Sequence, residues 1–255
     1  MSTRRAIGIA RLLAATVGIV ALISRFSYGL GFRSFFAVNF FGYLTMQSNI
    51  AAVVVAIVAG VTALRGRTEG RLLTAARGAV TCFVLVAGIV FALLVTQGPA
   101  QGYRIEVPWS DQVLHFWLPA LSLIDWIMSP GRGRLGWRVM PVIIGYPTVW
   151  GIITSIRGRS VGWYPYFFLD PAQSGYPAIF FAYSAGALAL FAAVAGGLIL
   201  VSRRRPLLET AVERVGGPAQ PISRRTAPAR SARPPAAPHP PEPTSRRRPR
   251  RRPLR

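Results

Sequence analysis

Tyr43-Leu-Thr-Met-Gln-Ser-Asn49 stands at the head of a long aliphatic run that continues from Ile50 to Leu64. Thr45, Ser48 and Asn49 lie three and four residues apart, a spacing that on a helix gathers two hydroxyls and an amide on one face. Such a face near one end of an apolar helix marks a membrane span whose polar groups turn toward the protein interior or a wet cavity. One other stretch answers it, Asp111-Gln-Val-Leu-His115, which opens a later apolar segment. Together they predict an α-helical membrane scaffold that brings Thr45 and His115 to one place.

Composition fits that scaffold. The chain has 255 residues, 52% of them hydrophobic, yet its formal net charge is +22. Its mean hydropathy is +0.39. The two facts agree once the charge is located: half of the 30 basic residues, all arginine, lie at or beyond Arg203. A hydrophobic body with a basic, Pro-rich tail is the pattern of an integral membrane protein and not of a nucleic-acid-binding globule. The enrichment in Arg, Ala, Gly and Pro suggests a GC-rich genome, and the expected location is a bacterial cytoplasmic membrane. Cys82 is the single cysteine, so no disulfide forms within the chain. With His115 and His239 the only histidines, the ligand supply does not suit a dedicated zinc or haem site, and no cofactor is expected.

Six apolar stretches, roughly 7–28, 40–64, 77–97, 111–128, 138–156 and 176–201, each approach the ~20 residues that cross a bilayer. The first runs into Ser24-Arg-Phe-Ser-Tyr28 with no small-x-small cleavage pattern, so it is read as a helix and not as a signal peptide. With the N-terminus inside, the short inner segments carry nine arginines, from Arg4 and Arg5 to Arg138, against five on the outside, among them Arg25 and Arg157. That bias predicts both termini in the cytoplasm. The membrane domain is expected over 1–204. From about Arg205 apolar periodicity vanishes, and 205–255 is expected to be a disordered cytoplasmic tail ending in Arg246-Arg-Arg-Pro-Arg-Arg-Arg252. Such a tail attracts anionic lipid headgroups at about 1 kcal/mol per near-surface arginine. No aromatic residue interleaves its charges, which argues against RNA as its partner.

Asp111, His115, Ser122 and Asp125 form a polar stripe down the fourth segment. Thr45 and His115 are both expected roughly 6–8 Å beneath the outer boundary. A threonine hydroxyl attacks well only when a base takes its proton, and His115 is the base at hand near neutral pH. Asp111, one turn away, would orient the imidazole, while Ser48 or Asn49 would help bind an oxyanion. A structural reading stands beside this one: threonine hydroxyls in membrane helices bond their own i−4 carbonyls, and Ser and Asn join helices. Asp125 lies deeper and suits pairing with an arginine better than catalysis.

Three patches in order, Tyr43-Leu-Thr45 with Asn49, Leu114-His115 with Pro119 and Asp125, and Gly162-Trp-Tyr-Pro165, resemble the androgen-inducible family of six-span membrane threonine hydrolases and its prokaryotic six-helix relatives. The resemblance covers about residues 7–201 and leaves out the tail. Animal members cleave fatty acid esters of hydroxy fatty acids with a threonine nucleophile and a histidine, and the matching positions here are Thr45 and His115. The surroundings Met46-Gln-Ser-Asn49 and Phe116-Trp-Leu118 look like the bacterial branch, so the resemblance carries the fold further than the substrate. It implies an amphiphilic ester drawn from membrane lipids. Two rivals stay open on the sequence: a small-solute transporter or channel using the Asp111 to Asp125 stripe, and a non-catalytic membrane adaptor working through its polybasic tail.

Overall fold

The computed structural model describes residues 3–97, 106–173 and 176–208. The expected disordered tail therefore lies almost wholly outside the described residues, as does Arg104 in the loop before Trp109. The chain is all-helical, with no strand among the described residues. Its helices are α1 (Thr3–Leu30), α2 (Ala37–Gly42), α3 (Leu44–Leu64), α4 (Arg71–Gln97), α5 (Trp109–Gln112), α6 (Leu118–Met128), α7 (Met140–Val161) and α8 (Ala178–Ser202). A π-helical turn, Val113–Trp117, joins α5 to α6. Five helical segments, those of α1, α3, α4, α7 and α8, are long and apolar enough to cross a membrane.

Two boundaries differ from the sequence reading in ways that matter. The helix expected over 40–64 is two helices, because Tyr43 is extended and α3 begins only at Leu44. Thr45 thus sits in the first turn of a span, not several residues down a continuous one. The segment expected over 111–128 is helical from Trp109 to Met128 but in three pieces, none of spanning length alone.

Pro119 gives the physical reason for the second. A proline in a regular helix has no N–H for the carbonyl four residues back, and its ring collides with it. That carbonyl belongs to His115. Widening the turn relieves the collision: the Leu118 N–H reaches back five residues to the Val113 carbonyl. The His115 carbonyl is then turned toward α4, where Gly88 makes room for it. A Cβ at Gly88 would stand 2.3 Å from that oxygen.

Helix α4 is the hub, packing on α3, α6, α7, α8 and the π turn. Around it the polarity is inverted relative to a water-soluble bundle. Large apolar side chains such as Leu13, Val20, Val54, Val149 and Ile153 are exposed, while Arg11, Arg77, Asp111 and Asn49 are buried. Only a hydrocarbon surround makes both halves of that distribution favourable. The molecule fits a multi-pass membrane protein.

Near the α1 N-terminal half, two buried arginines meet two carboxylates. Arg11 donates to Glu69 at 2.8 Å and to Asp125 at 3.1 Å, and Arg77 donates to the same two groups, at 2.6 Å to Glu69. Ser129 and the Ala59 carbonyl complete the cluster. Glu69 comes from the α3–α4 loop and has no counterpart in the sequence reading, which matched Asp125 with arginine but did not see the second acid.

Candidate functional site

At the other end of the bundle, a cavity of about 450 Å³ is lined by residues of α1, α2, α3, α4, α5, the π turn and the α7–α8 loop. Thr45, Asp111 and His115 all open onto it. Ser48 does not; it lines a neighbouring cavity. Asn49 is fully buried and lines neither cavity, and Asp125 belongs to the distant ion cluster.

The helix break decides what the Thr45 hydroxyl does. Thr16, Thr62, Thr96 and Thr148 each donate to the carbonyl four residues back, as threonines in apolar helices do. For Thr45 that carbonyl would be that of Phe41, which lies across the extended Tyr43 and is taken by the Gln47 amide at 2.8 Å. Thr45 is instead in hydrogen-bonding reach of the Tyr166 hydroxyl, through both its side chain and its backbone. Ser48 and Asn49 follow the ordinary helical habit. The Ser48 hydroxyl donates to the Leu44 carbonyl at 2.7 Å and the Asn49 amide to the Thr45 carbonyl at 2.9 Å. Their donors are committed to the backbone, so neither offers the free donor that the oxyanion role expected of them needs, and the Met46 and Gln47 amides at the start of α3 are likewise taken, both by the Tyr43 carbonyl at 3.1 Å.

His115 is held on three sides. Its Nδ1 lies 3.0 Å from the Asp111 carbonyl oxygen. A carbonyl only accepts, so Nδ1 carries the proton and a neutral imidazole keeps its lone pair on Nε2. Phe91 stacks on the ring with centroids 3.9 Å apart, and the Gly88 notch seats its backbone. The expectation that the Asp111 carboxylate orients the imidazole is corrected here. That carboxylate is 2.8 Å from Arg25 and 3.9 Å from Nδ1, so the backbone of Asp111 does the orienting while its side chain neutralises Arg25.

Tyr166 reaches Thr45 because the α7–α8 loop folds back across the start of α3. Gly162 ends α7 with φ +65°, a left-handed cap that suits glycine. Tyr164 then packs so closely on Gly158 that a Cβ there would stand 2.1 Å from its ring. Trp163 meets Tyr43 edge to face at 5.4 Å, Arg157 donates to Asn39 at 2.6 Å, and the Trp150 indole donates to the Gly42 carbonyl at 3.0 Å. Burial pushes the Tyr166 phenol above its usual range, so it remains a neutral hydroxyl at physiological pH.

The second cavity, about 580 Å³, lies among α3, α4, α7 and α8. Thr45, Ala87, Val90 and Tyr166 line both cavities, so the threonine and the tyrosine stand on the wall they share. The resemblance carried Gly162-Trp-Tyr-Pro165 and gave the next residue, Tyr166, no role, and Arg25 was counted only for its charge. Comparison with protein-family models, with curated proteins and with solved structures found no match to this chain.

Proposed function

We propose that this protein is a membrane-embedded hydrolase of lipid esters, with Thr45 as nucleophile and His115 as base. The observation that carries the reading is the release of the Thr45 hydroxyl from its helix, on the same cavity as an imidazole whose Nδ1 is fixed by a carbonyl. In the first half-reaction Thr45 Oγ bonds to the ester carbonyl carbon and its proton passes to Nε2 of His115. The C–O bond to the alcohol then breaks, the alcohol leaves with that proton, and an acyl-Thr45 ester remains. Water attacks that ester, His115 takes the water's proton, and Thr45 regains it as the acid departs. The Tyr166 hydroxyl supplies a donor for the oxyanion.

In this reading the helical stretch from Trp109 to Met128, about 30 Å long at 1.5 Å per residue, is the sixth span. Both termini then lie in the cytoplasm of a bacterial cell, the catalytic cavity opens in the outer half of the membrane, and the chain joins the androgen-inducible hydrolases as a prokaryotic relative. Arg25 on Asp111, and Arg11 and Arg77 on Asp125, engage the two acids a transport pathway would use.

Thr45→Val, nearly isosteric but without the hydroxyl, tests the reading in detergent or nanodiscs. Wild type is expected to hydrolyse long-chain esters and to be labelled by a fluorophosphonate, with both lost in a folded Thr45→Val. Equal hydrolysis by the two proteins would refute the threonine mechanism.

A further inference from the structure

The 580 Å³ cavity has a shape and a lining that the hydrolase reading does not use. On α7 its wall runs from Pro147 to Arg159, about 18 Å at 1.5 Å per residue. Phe83, Leu188 and Phe191 line it from α4 and α8. Of its hydroxyls, Ser48 and Thr148 are bonded to carbonyls of their own helices and offer a ligand little. A long apolar trough of this kind fits a hydrocarbon chain.

The trough is open at its side. Ile152 and Ile156 of α7 and Phe181 of α8 line the cavity and are also 56%, 66% and 59% exposed. Residues that belong to both the lining and the outer apolar surface are the rim of a lateral opening. That rim faces the surface which the bundle presents to lipid, so a chain can pass sideways without crossing water.

One charge stands on the lining. Arg159, in the last turn of α7, is exposed and has no carboxylate partner among the described residues. Arg25 in the first cavity is different, because Asp111 already meets its charge. An unpaired guanidinium at the end of an apolar trough recognises an anionic headgroup through paired N–H donors.

We infer that this cavity binds one hydrocarbon chain of an anionic amphiphile, admitted from the bilayer between α7 and α8, with its carboxylate or phosphate on Arg159. The inference deepens the hydrolase reading, since Thr45 on the shared wall meets a ligand seated in the trough. Occupancy itself does not require Thr45 chemistry.

The test is photolabelling of the full chain in nanodiscs with diazirine-bearing palmitate, adducts being mapped by mass spectrometry. Gly151 offers a block, because it lines the trough and a Cβ there meets open space, so Gly151→Phe introduces a ring from an unobstructed position. Ser184→Phe blocks the facing wall if the first variant folds poorly. Adducts are expected on α7 and α8 lining residues, equally in wild type and Thr45→Val, and at least about tenfold fewer in both blocked variants. Arg159→Gln is expected to weaken palmitate binding about tenfold while leaving hexadecanol unchanged. Unlabelled palmitate and lysophosphatidate, used as separate competitors, report whether carboxylate or phosphate is preferred. Adducts scattered outside the trough, labelling indifferent to both blocking residues, or palmitate binding indifferent to Arg159→Gln would overturn the inference. Labelling that persists where no ester is hydrolysed would count against the threonine mechanism alone.

Discussion

The difference between Thr45 and Thr16, Thr62, Thr96 and Thr148 is a matter of one peptide. Because Tyr43 is extended, the carbonyl that would have absorbed the Thr45 hydroxyl is displaced, and Tyr166 takes its place. Tyr166→Phe keeps the ring and deletes only the hydroxyl, and with it the O–H proposed to donate to the oxyanion. Loss of one oxyanion donor typically costs 10²–10³ in rate, so kcat for ester hydrolysis is expected to fall about 10²-fold with little change in KM. The phenol's pKa is raised, so its proton is retained at any pH below that value and lost only above it. The wild-type to Tyr166→Phe rate ratio is therefore expected to stay flat between about pH 6 and 9, read from parallel pH–rate profiles. His115→Gln, which removes the base and leaves a neutral side chain, should lower kcat by about 10²–10⁴ in the same assay. Of these residues, Thr45 and His115 stood out in the sequence because their types and order are unusual in apolar helices, and the two open onto one cavity. Tyr166 did not, since its contact depends on how the segment 162–169 folds back, which no local pattern records.

At the scale of elements, the π turn is where sequence rules met a competing constraint. The stripe Asp111, His115, Ser122 and Asp125 assumed an uninterrupted α-helix, yet Pro119 stands four residues after His115 and forces the wider turn. The signal was present and could have been read by asking which carbonyl each proline orphans. The close approach of Gly88 to the His115 carbonyl makes α4 part of the same device. Gly88→Ala places a methyl group against backbone and not against a movable side chain, so the turn or the helix must shift. A destabilisation of about 1–3 kcal/mol is expected, measurable as a lower midpoint of thermal unfolding in detergent. The long spans themselves were legible because bilayer thickness sets a length that composition must match. The start of α3 was not, because a lone glycine such as Gly42 is tolerated within an apolar run and the Trp150 indole that donates to its carbonyl comes from a distant helix.

For the membrane body as a whole, the Arg11–Glu69–Arg77–Asp125 cluster ties α1, the α3–α4 loop, α4 and α6 into one unit. Its charges balance, so removing one acid leaves a buried cation uncompensated. Glu69→Gln is expected to destabilise the folded protein by about 3–5 kcal/mol while leaving the distant Thr45 cavity intact, which paired melting and fluorophosphonate labelling would separate. The order of these partners along the chain bears on how the bundle closes. Arg11 lies 58 residues before Glu69 and 114 before Asp125, and Arg77 lies 48 before Asp125. A nascent chain that has not yet reached Asp125 holds two cations against the single acid Glu69, so the bundle is expected to close fully only when α6 joins it.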